Sequence, residues 1–470
     1  MKNNIQKSLI VLILSGLAYY FSSGFGAIWA LMWLAPIPIL IYAYSENLAK
    51  VALLAFLVGL APGMNQIIGY WSTHLPMQGF IINMIMQSLE WMVIVIISRY
   101  FVKRLKHPIS LFAYPTLLSL SEWLKSLGSQ GSFNTIAYSQ LHALPAMQIA
   151  SITGFYGVSF VLSLFASSIA YAFVFHKTQS KTWLALTVSL FIVIASLSYG
   201  CYRMHNYKNT QANTITVGLV SYHFHPYIIY NPNLAMQLLN DYRPLINQLT
   251  KQGAKIILLP EESLSVITTN SAAIQNKFSQ LAKQNHVTLI VGVNELLPHA
   301  RYNSAWLFDA HGQLLGDYHK RHFVPGAEDG LSPGKKLLFF TINTHKAGIA
   351  ICRDLDYPYP AHAYGKAGTN ILFAPAWDFT VDAEVHSAGA FTRGIENGYT
   401  LVRAARAGYL SVTSPTGQVI AEQVTKASGG TTLLVNAPIW HHASFYAKHG
   451  NWFALLLLAL LIIVIIRAFT

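Results

Sequence analysis

The chain has 470 residues, of which 53% are hydrophobic and only 10% are charged, and its formal net charge is +13. Soluble domains carry about 25% charged residues, so this composition excludes an ordinary soluble protein. The basic balance is a weak argument for a nucleic-acid partner, because many bases flank apolar runs, where they orient the chain and meet anionic lipid headgroups. The sequence therefore predicts a membrane-embedded protein with no nucleic-acid partner.

Eight apolar runs are long enough to cross the hydrocarbon core of a bilayer, which is about 30 Å thick. They lie near residues 6–22, 25–44, 51–71, 80–101, 109–127, 147–175, 182–200 and 452–468. A signal peptide is the alternative for the first run, but apolar character resumes almost at once and no clear small-residue cleavage site follows. We expect transmembrane helices one to seven in residues 1–205, a polar domain at 213–440 and transmembrane helix eight at 447–470.

The bases of the short loops predict the orientation of these spans. If eight spans alternate, one side receives Lys2, Lys7, Lys50, Arg99, Lys103, Arg104, Lys106, Lys177, Lys181 and Arg467. Only Lys125 falls on the other side. The positive-inside rule then places both termini in the cytoplasm and residues 213–440 on the outer, periplasmic side of a bacterial inner membrane.

Residues 213–440 have the pattern of an α/β domain. Strand-like runs include 215–220, 256–259, 287–293, 305–308, 337–342, 348–352, 371–374, 400–403, 410–413, 419–421 and 431–435. Amphipathic helix patterns fall near 233–252, 271–285 and 382–397. Strands mixed with helices and hairpin-like turns favour a layered sandwich over a simple alternating βαβ arrangement.

Three reactive side chains follow predicted strands or lie in the loop beyond them: Glu261, Lys320 and Cys352. A carboxylate can take the proton of a thiol, and an ammonium can stabilise both the thiolate and the oxyanion formed on attack at a carbonyl. Each residue also has an ordinary structural interpretation, since a lone cysteine after a strand is most often a small core residue. The other cysteine, Cys201, ends an apolar run and is interpreted as a small buried residue. Two cysteines form neither a disulfide framework nor a typical structural zinc site, and no metal or cofactor is predicted.

The motifs around these residues resemble the nitrilase, or carbon–nitrogen hydrolase, superfamily and its membrane-embedded branch, bacterial apolipoprotein N-acyltransferase. Leu259-Pro260-Glu261 is similar to the glutamate motif of the superfamily, and Ala350-Ile351-Cys352 to its cysteine motif. Tyr318 to Pro325, followed by Glu328, resembles the lysine motif of the acyltransferase branch, in which a second glutamate follows. Tyr446 to Trp452 resembles the junction leading into the last span.

The resemblance implies an αββα sandwich and acyl transfer in two steps, without a cofactor. Cys352 would take a fatty acyl chain from a membrane phospholipid as a thioester, and a diacylglyceryl-modified N-terminal cysteine of a lipoprotein would accept it on its amine. Glu261 would be the general base and Lys320 would stabilise the oxyanion. Glu328 would support the cleft or its mobile arm.

The chain departs from the branch near the nucleophile. The branch usually has an aromatic residue and a glutamate after the cysteine, and an asparagine–aspartate pair before alanine–tryptophan. Here Arg353 and Asp354 follow Cys352, and Ala374-Pro375 precede Ala376-Trp377. These differences leave a membrane-anchored amidase, or an acyltransferase with another amine acceptor, as the alternative. Residues that would support the site or bind substrate are Glu328, Arg353, Asp354, Trp377, Asp378 and Glu396. Asp354, Asp378 and Glu396, together with His386, are more readily interpreted as a buried polar network that supports the strand ends.

Overall fold

The structure is a computed structural model that describes residues 2–73, 77–105, 107–178, 181–209, 213–439 and 443–469. Lys106, one of the bases used to predict the orientation, lies outside the described residues, as do Trp440 and Thr470 at the ends of two predicted segments. The chain divides into two compact units. The helical unit comprises Met1–Tyr207 and His449–Thr470, and the α/β unit comprises Lys208–Lys448.

The helices are, in chain order, α1 (Lys2–Ser22), α2 (Trp29–Leu34), α3 (Pro36–Ser45), α4 (Leu48–Tyr70), α5 (Met77–Leu105), α6 (Ala113–Ser126), α7 (Leu144–Met147), α8 (Ala150–Thr153), α9 (Phe155–Phe175), α10 (Thr182–Asn209), α11 (Pro226–Ile229), α12 (Ala235–Lys251), α13 (Thr268–Asn285), α14 (Pro358–Lys366), α15 (Ala383–Asn397), α16 (Phe445–His449) and α17 (Trp452–Phe469). In the described parts of the chain, six of them are long and apolar enough to cross a membrane: α1, α4, α5, α9, α10 and α17. This agrees with the prediction of a multi-pass helical membrane domain.

The other two predicted spans form shorter helices. The second is divided into α2 and α3 at Ala35, which keeps helical angles of φ −54° and ψ −41° before Pro36. The fifth begins as a 3₁₀ helix, Pro108–Phe112, and only its last 14 residues are α-helical in α6. Proline is tolerated in the first turn of a helix, but in the helix interior it lacks the N–H that donates to the preceding turn. Both segments therefore have interrupted helices.

The helical unit has its own apolar core, in which Ile39, Val51, Val95 and Leu164 are fully buried. A carboxylate, that of Glu122, is also buried there. It accepts hydrogen bonds from the hydroxyl of Thr135 at 2.7 Å and the backbone N–H of Ile136 at 2.9 Å. Because a buried carboxylate must be paired, these donors allow the acid to lie among apolar helices.

The α/β unit contains thirteen strands in the described chain: β1 (Asn213–His223), β2 (Ile256–Leu258), β3 (Leu264–Ile267), β4 (Thr288–Leu296), β5 (Arg301–Phe308), β6 (Leu314–His319), β7 (Leu338–Ile342), β8 (His345–Ile349), β9 (Ile371–Trp377), β10 (Thr400–Arg406), β11 (Tyr409–Thr413), β12 (Val419–Val424) and β13 (Gly429–Ile439). One sheet has the order β13-β1-β2-β4-β5-β6, with β3 beside β4, and the other has the order β12-β11-β10-β9-β8-β7.

Three apolar layers show that the α/β unit is an αββα sandwich. Side chains of both sheets form the central layer, including Val217 and Leu258 from the first and Phe373 and Val402 from the second. The outer face of the first sheet packs against α12 and α13, and that of the second against α14 and α15. The fold class predicted from the sequence is therefore confirmed.

Parallel pairing brings several strand ends to one edge of the sandwich. β2 runs parallel to its neighbours β1 and β4, and β9 runs parallel to its neighbours β8 and β10. The two sheets meet just beyond these ends, because the backbone N–H of Glu261 donates to the carbonyl of Ala376 at 3.4 Å. Residues that follow the strands are therefore gathered on rigid supports at one edge.

Candidate active site

Cys352 lies in a sharp turn after β8. Its φ is +42°, in the left-handed region that a non-glycine residue rarely adopts, and it begins a 3₁₀ helix, Cys352–Asp356. Such backbone conformations cost about 1–3 kcal/mol and are concentrated at functional sites. The thiol Sγ lies 3.6 Å from the backbone carbonyl oxygen of Trp377, at the end of β9.

Glu261 and Lys320 form a buried ion pair with Glu328. The Lys320 ammonium donates to Glu261 Oε1 at 2.7 Å and to both carboxylate oxygens of Glu328 at 2.8 and 2.7 Å. The Asn303 amide bridges the two acids, donating to Glu261 at 2.7 Å and to Glu328 at 2.9 Å. The ammonium is 2% exposed, so its single positive charge is shared by two carboxylates away from water.

The charges of this cluster affect the pKa of the Cys352 thiol. Burial raises the pKa of Cys352 to about 11, and the charge of Glu261 acts in the same direction, while Lys320 opposes it. Burial would lower the pKa of the Lys320 ammonium, but the charges of Glu261 and Glu328 outweigh it and raise that pKa well above its usual value. Burial also raises the pKa of Glu261, and Lys320 opposes this shift. The structure thus brings together three of the predicted residues: a neutral thiol at Cys352, a carboxyl of raised basicity at Glu261 and a charged ammonium at Lys320.

A second charged group, His386 on α15, lies beside the thiol. Its Nε2 is 3.1 Å from Asp382 Oδ2, and its Nδ1 is 3.7 Å from Asp378 Oδ1. Burial would lower the pKa of His386, but the Asp382 charge and the hydrogen bond with Asp378 raise it well above its usual value. The imidazolium hydrogen bonds to Cys352 and lowers the pKa of the thiol, against the larger effect of burial.

Two of the predicted supporting acids hold the loops in place. Asp378 makes a two-pronged contact with Arg403, at 2.9 and 2.5 Å, below the end of β9. Asp354 is fully buried and accepts from the Tyr318 hydroxyl at 2.7 Å and from the backbone N–H groups of Arg321 and His322 at 3.0 Å. Asp354 therefore ties the lysine loop to the cysteine turn, which is the structural interpretation left open by the sequence.

Arg353 and Glu396 pair with other residues. Arg353 lies 4.0 Å from Asp356, and Glu396 forms a 2.5 Å ion pair with Arg393 inside α15. Neither contact joins these side chains to Glu261, Lys320 or Cys352. Trp377, by contrast, contacts the thiol through its carbonyl oxygen.

Four further residues at this edge were not singled out by the sequence: Asn303, Glu262, Tyr230 and Arg406. Glu262 has φ +47° and accepts a hydrogen bond of 2.8 Å from the Tyr230 hydroxyl. Burial, together with the charge of Glu261, raises the pKa of Glu262 to about 7. Arg406 ends β10 and follows the same strand-end rule as Glu261 and Cys352, so that rule could have identified it.

Within the described residues, one group offers ligand atoms at metal-binding distance: Glu295, Asp317 and His319, all within 4.8 Å of one another. His319 Nε2 already lies 2.7 Å from Asp317, and Glu295 accepts hydrogen bonds from Ser304 and Trp306. Protein partners thus account for this group, and we assign it no metal.

The family comparison identifies an enzyme of the carbon–nitrogen hydrolase class. Residues 230–440 match the carbon–nitrogen hydrolase family model, and residues 15–168 match the model of the apolipoprotein N-acyltransferase N-terminal domain. With matches in both parts of the chain, and with relatives aligned over most of it, the chain belongs to the apolipoprotein N-acyltransferase family.

The most extensive of these similarities is to an apolipoprotein N-acyltransferase of Geobacter metallireducens, 25% identical over 96% of this chain and 93% of the relative. A second, from Shewanella oneidensis, is 24% identical over 76% of this chain and 73% of the relative. Among solved structures, an amidase from Nesterenkonia sp. is 21% identical with a TM-score of 0.41, covering 49% of this chain and 92% of that chain.

Proposed function

We propose that this protein transfers a fatty acyl chain from a membrane phospholipid, through a Cys352 thioester, to the N-terminal amine of a diacylglyceryl-cysteine lipoprotein. The observation that carries the proposal is the cluster of thiol, buried carboxylate and buried ammonium in a chain whose described residues also form six span-length apolar helices. Relatives named apolipoprotein N-acyltransferase support the acceptor. Both substrates are lipids, which fits a membrane protein.

In the first step Glu261 acts as general base. Both hydrogen bonds that Asn303 and Lys320 donate to this carboxylate end on Oε1, so Oε2 takes the thiol proton. The sulfur attacks the acyl carbonyl carbon, and the resulting oxyanion is stabilised by the Lys320 ammonium and by the backbone N–H of Arg353. The intermediate collapses by breaking the ester C–O bond, and the lysophospholipid alkoxide leaves with the proton held by Glu261.

In the second step a neutral amine attacks the thioester carbonyl. Glu261 takes a proton from the attacking nitrogen, the Lys320 ammonium again meets the oxyanion, and the C–S bond breaks. The amide product leaves, and the sulfur recovers its proton from Glu261. The enzyme thus returns to its starting state with no other reactant.

The side of the membrane on which this chemistry occurs is part of the proposal. The distribution of bases over the short loops favours cytoplasmic termini and a periplasmic α/β unit in an inner membrane. Lipoprotein acceptors would be met at that surface.

The test is the intact mass of the full-length protein after incubation with phosphatidylethanolamine vesicles, beside Cys352→Ala. We expect a gain of one fatty acyl group on the wild type only, removable by hydroxylamine. A diacylglyceryl lipopeptide with a free amine should then discharge the thioester and become acylated. No adduct on a folded protein would contradict the phospholipid donor. Discharge at the same rate with and without the amine would instead identify a hydrolase.

A further inference from the structure

Arg406, the last residue of β10, places its guanidinium against the face of Trp377. The guanidinium carbon lies 3.5 Å from the centre of the indole ring, and Nη1 donates to the backbone carbonyl of Glu262 at 3.3 Å. Trp377 contacts the Cys352 thiol through its own carbonyl oxygen, at 3.6 Å. One tryptophan therefore separates the nucleophile from a buried cation that the proposed chemistry does not use.

Two of the nitrogens of Arg406, Nε and Nη2, have no hydrogen-bond partner in the described chain, although the side chain is only 2% exposed. Nor does this guanidinium form an ion pair with any described residue, as far as the contacts within 4.0 Å show. Its neighbour on β10, Arg403, has both terminal nitrogens paired with Asp378. A buried cation with unmet donors is costly, and such a group in a native protein calls for a ligand.

The unmet donors have a defined geometry. Nε–H and Nη2–H point the same way along one edge of the planar guanidinium, and this edge binds two oxygens of a carboxylate or phosphate at once. The carboxyl of Glu262, whose charge acts on Arg406, accepts a hydrogen bond from the Tyr230 hydroxyl. Tyr230 is 44% exposed, so the group borders solvent.

We propose that the Nε/Nη2 edge of Arg406 binds the phosphodiester of the acyl-donor phospholipid. This proposal rests on the proposed function, since it assigns the anchor for that donor. All glycerophospholipids carry a phosphodiester a few bonds from their ester carbonyls, irrespective of headgroup. With the carbonyl at Cys352 and the phosphate at Arg406, the glycerol would lie along Trp377.

The test compares two acyl donors on the full-length protein. Thioester formation is measured by intact mass over a concentration series of phosphatidylethanolamine and of a p-nitrophenyl acyl ester, which has no phosphate. We expect Arg406→Gln to lower acylation efficiency with the phospholipid roughly tenfold or more, and to stay within about twofold of wild type with the ester. Arg406→Lys keeps the positive charge but lacks the paired N–H donors of the guanidinium, so it should lose less acylation efficiency with the phospholipid than Arg406→Gln but remain below wild type. The exposed Arg243→Gln is the matched control for net charge.

A second arm does not depend on a phospholipid donor. Glycerophosphoethanolamine, inorganic phosphate and glycerol are each added while the p-nitrophenyl ester acylates Cys352. We expect the phosphodiester to slow wild-type acylation, glycerol to have no effect, and the slowing to disappear in Arg406→Gln. This result would support a phosphodiester site at Arg406 even if the phospholipid did not acylate Cys352. Failure of the phospholipid as donor would contradict the proposed function and not this inference.

Four outcomes would overturn the inference. Equal losses with both donors would make Arg406 a structural residue, as would a fall in melting temperature that accounts for the loss in Arg406→Gln. Unchanged acylation of Arg406→Gln by the phospholipid would show that Arg406 does not bind the donor. Slowing by inorganic phosphate alone would identify a free-phosphate site instead of a lipid one.

Discussion

At the scale of single residues, the protonation state of the thiol determines what the cluster must do. With a pKa of about 11, Cys352 is almost entirely neutral at pH 7, so its proton must be removed during the reaction. We expect Glu261→Gln to lower the rate of thioester formation by about 10²–10⁴-fold, because the amide cannot accept that proton. Single-turnover acylation followed by intact mass measures this rate.

The matched control for Glu261→Gln is Glu422→Gln, at an exposed acid on β12. We expect this variant to acylate at the wild-type rate. If Glu261→Gln acylated as fast as the control, with both proteins folded, the carboxylate would have no role as the base.

His386 gives a prediction that is independent of any lipid substrate. Its imidazolium lowers the pKa of the Cys352 thiol, so removing the charge in His386→Gln should raise that pKa further. The thiolate fraction then falls at every pH below the new pKa. We expect alkylation by iodoacetamide at pH 9 to slow by roughly severalfold to tenfold. The background is Cys201→Ser. The sequence predicted Cys201 to be a small buried residue, but it is exposed on α10 and would also react. An unchanged pH profile would reduce His386 to a packing residue.

The sequence singled out three candidate reactive residues, and their catalytic roles remain predictions. Glu261, Lys320 and Cys352 each lie in a recognisable local motif, and the structure gathers them through strands far apart in the chain. Asn303 lies in no such motif. Asn303 joins the site because its amide reaches both Glu261 and Glu328, a contact that depends on how β5 and two loops pack. Such contacts are set by tertiary structure and leave no local pattern.

At the scale of elements, the glutamate loop depends on close packing against β4. A Cβ atom at Gly292 would come within 2.1 Å of the Pro260 carbonyl oxygen and 2.8 Å of the Glu261 Cα. The backbone N–H of Ser263 also donates to the Gly292 carbonyl at 2.9 Å. The absence of a side chain at this position therefore lets the loop carry Glu261 alongside the strand.

We expect Gly292→Ala to displace the loop, with about 1–3 kcal/mol lost in stability and a much larger relative loss in acylation rate, since small shifts of a catalytic group are costly. Melting temperature and single-turnover acylation measure the two effects. Gly79→Ala, where a Cβ has nothing within 4 Å, is the control. If Gly292→Ala acylated at the wild-type rate, the glutamate loop would tolerate the displacement.

Element boundaries were hardest to predict where the apolar pattern is weak. No strand was predicted at β6, because the sequence from Leu314 to His319 lacks the alternation of apolar and polar residues that a half-buried strand shows. It pairs with β5 nonetheless, and the backbone N–H of Lys320 extends that pairing to the carbonyl of Asn303 at 2.8 Å. The backbone hydrogen bonds between β5 and β6, and not a local strand propensity, therefore position Lys320.

At the scale of the whole molecule, composition was the most informative signal. A charged fraction of 10% with long apolar runs predicted the helical unit, and alternating patterns after residue 213 predicted the sandwich. Length alone could not separate a full span from an interrupted one, because the second run is divided at Pro36 and the fifth begins as a 3₁₀ helix after Pro108. Among the described residues, span-length helices are therefore fewer than the apolar runs.

The orientation of the whole chain is the last prediction. If the positive-inside rule holds, Lys335 in the α/β unit faces the periplasm, and Lys177, in the turn after α9, faces the cytoplasm. Both are exposed. In a Cys201→Ser background, we expect Lys335→Cys to react with a membrane-impermeant maleimide on intact cells with a permeabilised outer membrane. Lys177→Cys should react only after the inner membrane is broken. Cys352 is common to both variants, and the Cys201→Ser parent measures its contribution. The opposite labelling pattern would place the acylation chemistry in the cytoplasm, where an exported lipoprotein could not reach it.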